Sequence, residues 1–191
     1  MNIRNETIDE FELPGSILGP LPDWFYPALG RVVAVSALLE NKAQVLAETL
    51  AHSPQDSLTM TSVAKLRKIA ISAAIRIDSA NAGSVQSTVD PISAPVSEFF
   101  DEVVRLLDRR NGVVHAIWPA QPGEQQFGWR PRRTHHDDET RLTDDNTRDR
   151  LTDLIRRETD LILGFNNLHG SVTHARLRAA EGGYETLAID G

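Results

Sequence analysis

Small and apolar side chains recur in alternating steps of four and three at Phe25, Leu29, Val32, Ser36, Leu39, Ala43, Leu46 and Leu50. That spacing keeps one face of a 3.6-residue helix apolar and predicts a helix over 23–51. Asp23 is placed to cap its start, Pro27 is tolerable only in a first turn, and Ser53 and Pro54 stop it. A second helix is expected over 61–79, where Val63, Leu66, Ile69, Ile71, Ala74 and Ile77 are interleaved with Lys65, Arg67, Lys68 and Arg76, giving a mixed face. Residues 81–93 are rich in Ser, Gly, Asn and Asp and hold Pro91, which reads as a loop. A third helix is expected over 95–118 from Val96, Phe99, Phe100, Val103, Leu107, Val114 and Ile117, with Pro119 ending it. The period is then lost over 119–144, around Pro119, Pro122, Gly123, Gly128 and Pro131, where a short hairpin near 125–133 is expected. Leu151, Ile155, Ile162, Phe165, His169 and Val172 resume the stripe in steps of three, four and seven, predicting a fourth long helix over 145–180 that Gly182 and Gly183 close.

Long helices joined by loops predict an all-α fold. The expected architecture is a four-to-five-helix bundle with a small β-hairpin or loop excursion between the third and fourth long helices. Its expected organisation is an irregular arm at 1–22, a bundle domain at 23–180 carrying the insertion at about 119–144, and a flexible tail at 181–191. A chain of 191 residues suits one domain with appendages. A bundle alone says nothing about function, which sits in sites.

Composition removes several chemistries. There is no Cys, so disulfides, thiolate zinc sites, iron–sulfur clusters and thiol nucleophiles are excluded together. The apolar run from Val32 to Leu39 is far shorter than the roughly 20 residues of a membrane helix. The polar first ten residues lack the basic-then-apolar order of a secretory signal, so a cytoplasmic location without membrane contact is expected. With 20 basic and 27 acidic residues the net charge is −7, which disfavours broad capture of nucleic acid but leaves room for a local basic patch. No Gly-x-Ser-x-Gly elbow, phosphate loop or dinucleotide fingerprint is present. His135, His136, Asp137, Asp138 and Glu139 are consecutive and read as a solvated loop rather than a metal site. His169 and His174 are five apart and do not share a helix face, and His169 falls on the apolar stripe as a satisfied packing residue. No metal and no cofactor is expected.

One polar segment interrupts the third apolar run: Arg109, Arg110, Asn111, Gly112, Val113, Val114, His115. On an ideal helix Asn111 and His115 lie about 40° apart with Asp108 on the same side, so the three can form one polar strip. Arg110 lies about 140° from His115, so the pair shares a phosphate only if the helix bends or a second subunit contributes. Gly112 is a candidate bend. Arg110 also falls on the stripe of Val103, Leu107, Val114 and Ile117. If that stripe is monomer core the Arg is structural; if it is a dimer seam the Arg can line a cleft.

Arg110, four intervening residues and His115 resemble the Arg-x4-6-His signature of HEPN domains, Asn111 matches their common Arg-Asn-x-x-x-His form, and Trp118 adds to the likeness. The resemblance covers this motif and the helical layout of roughly 23–180. It implies a helical bundle that forms a homodimer with motif helices facing each other, and a metal-independent endoribonuclease of the toxin or phage-defence kind. His115 would then move a proton at the ribose 2′-hydroxyl or the leaving 5′-oxygen. Arg110 would stabilise charge growing on the phosphoryl oxygens, and Asn111 would orient the ribose, phosphate or His. Asp108 could set the His115 tautomer, an assignment from spacing alone. Ile117 stands where family toxins silenced by a nucleotidyltransferase carry Tyr, so that control is not implied. RNA and a cognate antitoxin or regulatory protein are the partners in view. The alternative is a non-catalytic dimeric module binding a protein or nucleotide, with Arg110, Asn111 and His115 as a structural polar network. Trp129, Arg130, Arg132 and Arg133, with Phe127 nearby, could hold an RNA backbone while a ring stacks on a base; a solvent-facing hairpin explains them equally.

Overall fold

The computed structural model describes residues 23–51, 61–83, 90–114 and 144–188, with side chains from 147 to 181 in the last stretch. Among them are four α-helices and no strand: α1 (Phe25–Ala51), α2 (Val63–Ala82), α3 (Ser93–Val114) and α4 (Asp144–Ala188). The protein is an all-α helical bundle. The expected arm at 1–22, the hairpin near 125–133 and the continuation of the third helix to Trp118 lie outside the described residues. The chain divides into two compact units, Met1–Val35 with Asp108–Arg156, and Ser36–Leu107 with Arg157–Gly191. Helices α1, α3 and α4 each lend a segment to both.

In the second unit the α1 stripe lands where its period puts it, with Ser36, Leu39, Ala43, Leu46 and Leu50 all buried. The mixed face of α2 resolves onto small residues: Leu66, Ala70, Ala73 and Ala74 are buried, while Ile69 and Ile71 are half-exposed. A methyl group loses all contact with water only when neighbouring atoms come close, so the alanines mark close approach of the α2 backbone. On α3, Val96, Phe99, Phe100, Val103 and Leu106 are buried. The Phe99 ring stands edge-on to Phe100 at 5.5 Å and tilted against Phe165 of α4 at 6.0 Å. Each such side chain removed from water contributes about 1.5–3 kcal/mol.

The buried line of α4 runs through Thr147, Leu151, Leu154, Glu158, Phe165, Val172 and Ala175. Glu158 occupies the slot that the expected stripe skips between Ile155 and Ile162, and it has no exposed surface. Ser36 Oγ of α1 donates to its Oε1 at 2.6 Å. Polar groups elsewhere in this unit are met in the same way. Asn81 Nδ2 donates to the Ala175 carbonyl at 3.1 Å. His169 stacks on Phe165 with ring centroids 5.4 Å apart, and its Nε2 lies 3.1 Å from Thr49 Oγ1, so it is the satisfied packing residue the stripe predicts.

Helix ends in the second unit are closed by side chains from other helices. The Asp78 carboxylate of α2 accepts from the backbone N–H of Ile92 and of Ser93, both at 2.9 Å, at the start of α3. Those are donors with no partner inside the helix. Nearby, Arg176 of α4 donates to the Thr49 carbonyl in the last turn of α1 at 2.6 Å, placing a cation where the dipole of α1 is negative.

In the first unit Phe25, Val32, Val113, Leu151 and Leu154 are buried. Two expectations about helix ends are corrected. Asp23 does not cap α1, which opens two residues later at Phe25 with the Trp24 carbonyl accepting from Ala28 N–H at 3.2 Å. Nor do Gly182 and Gly183 end the fourth helix: α4 runs through both to Ala188, so part of the expected tail is helical. A glycine costs about 1 kcal/mol in a helix interior, a penalty the flanking turns can absorb rather than a stop.

Two measurements check this account. Asp78→Ala should lower the unfolding free energy by about 1–2 kcal/mol in urea titrations, with Asp78→Asn recovering part of the loss. Ser36→Ala should cost about 1–3 kcal/mol, whereas the double variant Ser36→Ala with Glu158→Leu should cost less than the sum of the singles, because the hydrogen bond between the two groups couples them.

Candidate functional site

The motif segment belongs to the first unit and forms the last turns of α3. Upstream, the buried line of this helix runs Val103, Leu106 and Leu107, and downstream it resumes at Val113. Arg110 falls between them on the same line. It is half-buried, and its Nε is shielded from solvent. Its aliphatic stem packs while part of the residue stays open, the usual posture of a long cation on an apolar face. Asn111 is also half-buried and Asp108 is exposed. His115 lies outside the described residues, as do Trp129, Arg130, Arg132 and Arg133. The structure therefore brings Asp108, Arg110 and Asn111 onto one helix end.

Gly112 is helical, and a methyl group placed there would meet nothing within 4 Å.

Sequence reasoning misses the ion-pair chain beside the motif. Arg109 of α3 reaches Asp153 of α4 at 3.3 Å, and Asp153 also accepts from Arg156 at 2.8 Å. Only the Asp153–Arg156 spacing of three is visible in the sequence; Arg109 and Asp153 are 44 residues apart. The hydrogen bond from Arg156 is the largest influence on the pKa of the Asp153 carboxyl and lowers it from its ordinary value; burial opposes this, and the hydrogen bond from Arg109 with the charges of both guanidiniums adds to the lowering. These pairs are largely open to water and screened by it, so their effect on stability is small.

Among the described residues no three His, Asp or Glu side chains gather as a metal site, and no helix is long and apolar enough to cross a membrane. The His135–Glu139 run is outside them. No family model, characterised protein or solved structure matches the chain.

Gly112→Ala is expected to raise stability by about 0.5–1 kcal/mol in thermal unfolding; a loss would show that the motif needs a glycine-specific bend. Because Asp153 titrates lower in the folded state, its contribution is present above about pH 4 and is lost as pH falls through the depressed value. Asp153→Asn should therefore flatten the acid limb of a stability–pH curve below about pH 4 and cost little near neutrality.

Proposed function

We propose that the protein is a HEPN-like, metal-independent endoribonuclease of toxin or phage-defence type, working in the cytoplasm as a homodimer through the helix that carries Arg110 and His115. The observation that supports it is the placement of Arg110: a half-buried residue whose guanidinium has a shielded Nε is held in orientation before substrate arrives, as charge stabilisation of a phosphoryl transition state requires. Half-open Asn111 beside it can orient the ribose or phosphate. In this reading His115 takes the 2′-hydroxyl proton as that oxygen attacks phosphorus, or returns a proton to the departing 5′-oxygen. Asp108 favours the competent His115 tautomer, and Trp129, Arg130, Arg132 and Arg133 form an RNA-holding arm. A cognate antitoxin or regulatory protein would restrain the activity.

A second reading is favoured by the burial of Val103, Leu106, Leu107 and Val113 within a single chain. Arg110 shares their line, so it can instead belong to a structural polar network in a non-catalytic dimeric module that binds a protein or nucleotide.

RNA cleavage by the purified protein in excess EDTA, compared with Arg110→Ala and His115→Ala, separates the two. The ribonuclease reading expects cleavage that survives chelation and disappears in both variants, with mass in solution and helix content unchanged. Absence of cleavage, with variants that are monomeric or less stable by about 1–3 kcal/mol, would make the motif a structural fastener.

A further inference from the structure

The first unit contains a cleft of about 410 Å³ between the opening turns of α1 and the early turns of α4. Its walls follow helical spacing. Trp24 at the threshold of α1 and Ala28 and Arg31 within it recur at four and three, and Arg148, Thr152 and Ile155 recur at four and three along α4, followed by Arg156. Each set is one face of its helix.

Among the described residues three guanidiniums line this opening, and no carboxylate does. Arg156 is engaged by Asp153. Arg31 and Arg148 form no ion pair among the described residues, although acidic side chains outnumber basic ones 27 to 20 along the chain. The guanidinium carbon of Arg148 stands 6.0 Å from the centroid of the Trp24 ring, at the outer limit of a cation–π contact. Trp24 is half-buried, so its ring is anchored yet partly open, while Arg31 and Arg148 are exposed.

We infer that this cleft binds a nucleotide unit, its phosphate on Arg31 and Arg148 and its base against Trp24. The planar fork of a guanidinium matches phosphate oxygens, and an indole offers a flat face on which any base can stack. The volume falls in the range of small-ligand sites, about 300–1,000 Å³. A small carboxylate would leave the indole unused, and an apolar ligand would bury the cations without partners. A free mononucleotide and a nucleotide within single-stranded RNA offer the same chemistry. The inference goes beyond cleavage at the α3 motif and holds whether or not the chain cuts RNA. Asp153, paired with both Arg109 and Arg156, ties the cleft wall to the motif helix within the same unit.

The test is calorimetric titration of the full chain with 5′-AMP, inorganic phosphate and a short 2′-O-methyl oligoadenylate, which lacks the hydroxyl that cleavage needs. The variants are Arg31→Glu with Arg148→Glu, and Trp24→Leu, each checked for helix content. AMP or the oligonucleotide should bind, with affinity lower by about tenfold or more in the arginine variant. Trp24→Leu should erase the preference for AMP over phosphate. Binding of the oligonucleotide alone assigns the nucleotide to RNA, and binding of both extends it to free nucleotides. Wild-type affinity in the folded arginine variant, phosphate binding as tightly as AMP, or no binding of AMP or oligonucleotide overturns the inference. The arginine variant carries the decision even if Trp24→Leu perturbs folding, since both arginines are exposed and unpaired among the described residues.

Discussion

The second unit is organised by a fully buried carboxyl group. Glu158 sits in the middle of the packing line of α4 with no exposed surface, and the Ser36 hydroxyl from α1 meets it at 2.6 Å. An apolar contact tolerates sliding by a fraction of a turn, whereas a buried acceptor tolerates almost none, because the nearest alternative leaves it facing methyl groups. The pair thereby fixes one longitudinal register of α1 on α4. Leu39, Ala43 and Leu46 on one side and Phe165 on the other then fall into place as consequences of that register.

The ends of these helices follow the same economy of shared partners. Asp78 closes α3 and Arg176 closes α1, each from a different helix. No acidic residue stands in the first turn of α3, and no basic one in the last turn of α1. Local signals therefore mislead at such ends. Asp23 looks like a cap and is not one, and the Gly182–Gly183 pair looks like a terminus and lies inside α4. The helices themselves were legible because burial follows a period that each sequence segment carries alone. Their closures were not, because they depend on which helices meet.

The candidate site divides along the same line. One motif in the sequence proposes its residues, and the structure places Arg110 and Asn111 half-buried at the end of α3. Periodicity put Arg110 on one stripe with Val103 and Leu107, but it does not say what that stripe packs against; Val103, Leu107 and Val113 are buried within the chain, while Arg110 and Val114 are half-buried. The Arg109–Asp153–Arg156 chain and the arginine-lined cleft join segments far apart in sequence. What sequence did hold is their spacing, Trp24 to Arg31 and Arg148 to Arg156, which only a partner face makes meaningful.

The alanine face of α2 carries a consequence of a different kind. Ala70, Ala73 and Ala74 have no volume to give up, and any larger side chain there must push whole helices apart. In a lineage of such chains, drift would be freest at exposed positions that touch neither a ligand nor a neighbouring helix, and closely confined at these plain methyl groups. A stretch with little chemical character would then be preserved by ancestry as firmly as any reactive group.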